Sequence, residues 1–148
     1  GTRATLAVMA GLVRDYRVYP VLRALAESII AGVPEKDAHG EADAIQRWVR
    51  DSIRYTGDIY NVETVKDPLV LIETRQGDCD DKTTLAATLL QTIGYPVRLV
   101  AIAFPGEDYS HVFPDVCLNG QWVPVETTEN VALGWFPQGI ARFLRVEV

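Results

Sequence analysis

Cys79 is the side chain in this sequence with the clearest capacity for covalent chemistry. It stands in Gly77-Asp78-Cys79-Asp80-Asp81-Lys82, just ahead of a run in which Leu85, Ala86, Leu89, Leu90 and Ile93 recur at helical spacing and Gly94 and Pro96 supply a stop. A cysteine in the first turn of a helix meets free backbone N–H groups and the positive end of the helix dipole. Both favour the thiolate, the nucleophilic form, and the same amides can hold a developing oxyanion. Asp78, Asp80 and Asp81 work in the opposite sense; Asp80 and Asp81, as first-turn carboxylates, are most simply partners of those amides and of the dipole. The helix end alone does not make a reactive cysteine. It needs a base.

The chain has two histidines, His39 and His111. His39 falls in the polar stretch Pro34 to Gly40 and reads as a solvated loop residue. His111 opens the first strand of a hairpin centred on Asn119-Gly120, the strongest short-range hairpin signal. A two-residue turn there sets Leu118 against Gln121, Phe113 against Glu126 and His111 against Thr128. Strand side chains alternate, so Glu126 becomes the same-face diagonal neighbour of His111. A carboxylate in that place fixes the imidazole tautomer and stabilises the imidazolium. Asp115, on the same nominal face but farther along the strand, is the competing acid; Glu126 is preferred. In this register Pro114 takes a hydrogen-bonded site where it cannot donate, and a bulge at Pro114 would turn His111 to the opposite face.

The remaining candidates have plainer readings. Cys117 faces Trp122 in the hairpin and reads as an inert strand thiol, although two cysteines leave one bridge possible. Cys79, Cys117 and His111 lack a fourth ligand and the paired spacing of a metal site, so neither metal nor organic cofactor is expected. Tyr55 and Gln76 are candidates for a second oxyanion donor. Trp48 is assigned to the core and Trp122 to hairpin packing, while Trp135 and Phe136 either lid the cleft or cap the core.

These residues need elements to hold them. Leu6, Met9, Ala10 and Val13 mark a first helix. Pro20 opens a second with Leu22, Leu25, Ala26 and Ile29 as its stripe, stopping before Gly32 and Pro34. A third carries Ala42, Ile45, Trp48, Val49 and Ile53 on one face and ends near Tyr55 to Gly57. Residues 58 to 75 show no clear pattern, except that Asp67-Pro68 starts a short helix through Leu71 and Ile72. After the Cys79 helix the period changes: Val97 to Phe104, Val112 to Leu118, Gln121 to Thr127 and Arg142 to Val148 read as strands. Helices first and an antiparallel sheet after define an α+β layout.

Composition bounds the partners. The chain has 148 residues, 14 Lys+Arg against 20 Asp+Glu and a net charge of −6, with an isoelectric point near 4.8. One domain over 1–148 is expected at this length. An acidic chain without a basic cluster lacks the electrostatic footprint of a nucleic-acid or anionic-membrane binder. The longest apolar run, Leu99 to Phe104, is far short of a membrane span, and no signal-peptide pattern is visible. The expected setting is cytoplasmic or virion-associated, although a chain opening on Gly1 rather than Met says little about the full protein.

The run Gly77 to Lys82, then Ser110-His111-Val112, then Gly120-Gln121-Trp122-Val123-Pro124-Val125-Glu126-Thr127-Thr128 resembles the transglutaminase-like superfamily, and more narrowly its bacterial and phage-associated cysteine protease domains. The resemblance covers roughly residues 41–130, with residues 1–33 as a looser helical leader. It implies a papain-like α+β fold with a cysteine at the start of a central helix, a histidine on one strand and an acid on the next. Carried over by position, Cys79 is the nucleophile, His111 the general base and Glu126 the orienting acid. The family acid is usually Asp followed by Pro-Thr, and the animal enzymes have Gln-Cys-Trp at the nucleophile. The resemblance therefore implies thiol chemistry at a carbonyl rather than any one acceptor. The expected activity is that of a cysteine-dependent hydrolase or acyltransferase acting on peptide or isopeptide amides of a protein or peptide substrate, through a thioester. The alternative is a catalytically silent binding or assembly module of the same family, with a phage particle as its setting.

Overall fold

The apolar stripes of the first half form helices in the computed structural model, which describes residues 1–57 and 64–148. Helix α1 (Thr2–Tyr16) buries Leu6, Met9, Ala10 and Val13. Helix α2 (Pro20–Ile30) starts on its proline and buries Leu22 and Ala26. Helix α3 (Ala38–Ser52) begins earlier than expected, because the Asp37 carboxylate accepts the Gly40 N–H and caps it. His39 is therefore an exposed residue of the first turn of α3, not a loop residue. Trp48 is half-buried, packed against the core at its edge with the Arg75 guanidinium 5.0 Å above its ring. Residues 58–63 of the unpatterned stretch lie outside the described residues. Asp67 caps the short helix α4 (Pro68–Thr74).

Two short strands were not legible in the sequence. Where α3 was expected to run on toward Gly57, it stops at Ser52. Strand β1 (Arg54–Tyr55) then pairs in parallel with β2 (Gln76–Gly77), directly ahead of the Cys79 helix. That helix, α5 (Cys79–Thr92), was expected to show one apolar face. It is instead buried all round from Asp81 to Leu90, packed between α1–α4 on one side and the sheet on the other. Its threonines make this possible by satisfying their own hydroxyls: Thr84 donates to the Asp80 carbonyl at 2.8 Å and Thr88 to the Thr84 carbonyl at 2.7 Å.

The sheet has the order β5-β4-β3-β6, with β3 (Val97–Ala103), β4 (Tyr109–Leu118), β5 (Gln121–Pro124) and β6 (Arg142–Glu147), all neighbours antiparallel. The Asn119-Gly120 turn has both residues at positive φ, as the tight hairpin requires. Its register pairs Leu118 with Gln121 and Asp115 with Pro124. There is no bulge at Pro114: β4 passes straight through it, and the register shift falls between Ile102 and Ala103, opposite Ser110. The stretch from His111 to Leu118 thus keeps its alternation. One sheet face, with Leu99, Ala101, Val112 and Val116, joins the core around α5. The other carries a smaller cluster of Val100, Ile102 and Phe113. Phe136 meets Phe113 edge-on at 5.9 Å and stacks on Phe143 at 5.5 Å, so it caps this outer cluster. No helix among the described residues is long and apolar enough to cross a membrane.

Gly77 fixes the approach of β2 to α5. A Cβ there would lie 2.8 Å from Asp81 Cβ, Asp81 Oδ2 and Leu71 Cδ1. Replacing Gly77 with Ala should cost about 1–3 kcal/mol through overpacking and lower the thermal midpoint by roughly 3–10 °C. Calorimetry or circular dichroism reads this directly, and an unchanged midpoint would show that the turn has room.

Candidate active site

The first turn of α5 is built by carboxylates. Asp78 accepts the Asp81 N–H at 3.1 Å and Asp81 returns the contact to the Asp78 N–H at 3.1 Å, a reciprocal capping box. The other oxygen of Asp81 accepts the Lys66 N–H at 2.7 Å. These bonds hold Cys79 at the mouth of a cleft of about 1060 Å³ lined by Tyr55, Asp78, Cys79, Asp80, Asp108 and His111, together with the start of α1.

Strand β4 brings the histidine. After the Val125 N–H donates to the Pro114 carbonyl at 2.8 Å, the chain beyond β5 leaves the sheet. Glu126 turns back toward β4, and its Oε2 lies 2.6 Å from His111 Nε2. Its Oε1 accepts the Thr128 N–H at 2.9 Å, and its carbonyl accepts Gln46 Nε2 of α3 at 2.9 Å. The carboxylate is 2% exposed and the imidazole 20%, so the acid is enclosed while the ring keeps an open edge. Asp115 is occupied elsewhere, bound to Arg98 Nε at 2.8 Å. Cys79 and Cys117 are both free thiols, and Cys117 sits opposite Trp122. Tyr55 lines the cleft and Gln76 lies outside it. Among the described residues no three metal-ligating side chains cluster.

The electrostatics work against the thiolate. Burial pushes the Cys79 thiol up, and the Asp80 and Asp78 carboxylates push it further, to about 12; the Val112 backbone N–H bonded to the sulfur pulls the other way. Asp80 also accepts from the thiol at 3.8 Å. Burial and the same neighbours, Cys79 first, push the Tyr55 phenol up, so its O–H is retained as a donor.

Three contributors to the site escaped the sequence reading: the Val112 backbone, Gln46 and Lys82. The backbone group carries no side-chain signal. Gln46 is a fully buried amide beside Ile45 on the apolar face of α3, and Lys82 is a charge that the first turn of α5 carries into the core.

Residues 23–127, more than half of the chain, match the Transglutaminase-like superfamily, and the chain belongs to that family. No curated protein matches it. Among solved structures it is similar to a proposed protease from Parabacteroides distasonis, with TM-score 0.68 and 12% identity over 84% of this chain and 26% of that one. A proposed cysteine protease from Cytophaga hutchinsonii aligns with TM-score 0.62 and 19% identity over 90% and 50% of the two chains. Calcium-bound LapG of Legionella pneumophila aligns with TM-score 0.64 and 15% identity over 92% and 80%. The chain thus spans a quarter to a half of the first two. At these identities the likeness establishes the fold: the helices and antiparallel sheet are those of the transglutaminase-like, papain-like class.

Because Asp80 is the largest electrostatic burden on the thiol after burial, Asp80→Asn should lower the midpoint of Cys79 ionisation. The expected size is about one unit, or roughly tenfold faster alkylation by iodoacetamide at a fixed pH below the midpoint. Mass mapping of the labelled peptide checks it; an unmoved midpoint would remove Asp80 from the account.

Proposed function

We propose that this domain is a cysteine-dependent hydrolase or acyltransferase acting on peptide or isopeptide amide bonds. The observation that carries the proposal is the 2.6 Å contact between His111 Nε2 and the buried Glu126 carboxylate, at a cleft that Cys79 also lines. With Nε2 held by the carboxylate, Nδ1 is the nitrogen left to take a proton. Cys79 passes its proton to His111 and attacks the carbonyl carbon. The first-turn amides of α5 receive the oxyanion, with Tyr55 as a second donor. Collapse expels the amine, which takes the proton from His111 and leaves a thioester on Cys79. Water or a second amine, deprotonated by His111, then attacks the thioester. The product is an acid or a new amide, and the thiol is regenerated. Glu126 holds the tautomer and stabilises the imidazolium throughout.

A thiol pushed to about 12 is nearly all protonated at neutral pH, so nucleophilicity requires direct transfer to His111 rather than loss of the proton to solvent. The same observation supports a second reading, a silent binding or assembly module of this family, possible if that transfer does not occur.

Incubation with a peptide library and a primary amine, read by mass, separates the outcomes. Hydrolysis products identify a protease and amine conjugates a transglutaminase. The absence of any Cys79-dependent product supports the module. Cys79→Ala should abolish turnover and labelling with the fold intact. His111→Ala should slow alkylation at neutral pH, by about tenfold for each unit by which His111 lowers the effective ionisation of Cys79, and leave a rate that climbs only as pH rises toward the thiol's own ionisation. Labelling of Cys117 with Cys79 inert in the wild type would overturn the mechanism.

A further inference from the structure

We infer that Lys82 is a positioning residue for the His111–Glu126 pair, supplying inside the protein the positive charge that offsets the Glu126 carboxylate; the inference rests on the catalytic reading of that pair. Lys82 is among the largest fully buried side chains of the described residues, 2% exposed. Burying an ammonium costs several kcal/mol unless partners repay it. Its Nζ donates to the carbonyls of Ile53 at 2.9 Å and Arg50 at 3.3 Å, at the negative end of α3. These neutral partners solvate the charge without balancing it.

Burial lowers the Lys82 pKa; against it Glu126 first and Asp51 second favour the charged ammonium, and Arg50 opposes them. Asp51 is 65% exposed at its side chain and is already paired with the Arg50 guanidinium, so solvent screens it. Glu126 is enclosed, and attraction between enclosed charges is screened far less. The segment that carries Glu126 is stitched to the same helix end. Gln46 reaches the carbonyls of Glu126 and Val131, Arg50 reaches the Val131 carbonyl, and Lys82 reaches the Arg50 carbonyl. Facing Glu126 are His111 from β4, Cys79 and Lys82 from α5, and the Thr128 N–H of its own loop. Proton transfer from Cys79 to His111 adds an anion to a turn already holding Asp78 and Asp80, and Lys82 stands one turn further along the same helix.

The test separates charge from tether. Lys82→Gln keeps a donor for the Arg50 and Ile53 carbonyls and removes the charge; Lys82→Arg keeps the charge. The rate of Cys79 alkylation by iodoacetamide is followed against pH in the intact chain. In Lys82→Gln the acidic limb should move to higher pH by about one unit, an approximately tenfold slower rate at a pH on that limb, and in Lys82→Arg it should return toward wild type. A folded Lys82→Gln with the wild-type limb, or equal shifts in both variants, overturns the inference. If wild-type Cys79 reacts no faster than in His111→Ala, the catalytic reading itself fails, which is a distinct result. Should the Lys82 variants not fold, the coupling is read in reverse: in Glu126→Gln the Lys82 ammonium, followed by nitrogen NMR, should lose its proton at lower pH than in wild type. Equal titration would sink the proposal.

Discussion

Beyond the bond from the Val125 N–H to the Pro114 carbonyl, no strand among the described residues flanks β4 on its β5 side, and the backbone of Val112 is satisfied by α5 instead. The Val112 carbonyl accepts the Thr83 hydroxyl at 3.2 Å, and its N–H is bonded to the Cys79 sulfur. Buried backbone groups need partners, so where the ladder stops, the first turn of α5 takes its place. The ladder stops there for a local reason: Pro114 cannot return a bond to the strand opposite, and Pro124 closes β5 just before. One substitution of partners therefore sets the distance from the helix to the strand, and with it the placement of Cys79 beside the strand that carries His111. It also releases Glu126 from the sheet, so that its carboxylate turns back to the imidazole while Gln46 holds its carbonyl from α3.

The acids that burden the thiol are not dispensable decoration. Asp78 and Asp81 are the capping box that shapes the turn, and Asp81 additionally pins the chain at Lys66. Its burial raises its own pKa to about 6 even though two backbone N–H bonds favour the charged form. The same geometry that presents Cys79 at a helix N-terminus thus brings negative charge against it. The dipole and the Val112 N–H favour the thiolate; desolvation and two carboxylates oppose it, and opposition wins for the isolated thiol. A turn built this way keeps Cys79 as a neutral thiol.

Much of this was legible from local rules. Asn-Gly specified the hairpin and its register. The Pro20, Asp67 and Asp78 signals marked helix starts. Period-two alternation pointed to Glu126 as the partner of His111 through a strand running to Thr127, but β5 ends at Pro124 and the contact is made by chain that has left the sheet. What local rules missed was long-range pairing. Nothing in Arg54-Tyr55 announces a two-residue parallel strand, because its partner lies some twenty residues away and neither segment has room for a period. The all-round burial of α5 was hidden for a related reason. Threonine reads as a surface residue in a helix, yet Thr84 and Thr88 bond back to their own helix and so can be enclosed. Pro114 makes no bulge because the missing bond falls where β5 is ending, so the strand loses little by running straight.

The outer face of the sheet explains why one carboxylate rather than another meets the histidine. His111, Phe113 and Asp115 project together from β4, and β3 sets Ile102, Val100 and Arg98 against them in turn. Arg98 binds Asp115 and lies 4.5 Å over the Trp122 ring, which removes that acid from contention. Phe113 fills the space between, under Phe136, and keeps the two polar ends of the face apart. Opposite His111 on β3 stands Ile102, whose side chain offers no hydrogen bond, so the imidazole takes its partner from the chain leaving β5. The choice of acid is thus made by the neighbouring strand: a cation opposite one carboxylate occupies it, and an aliphatic residue opposite the histidine leaves the ring to Glu126.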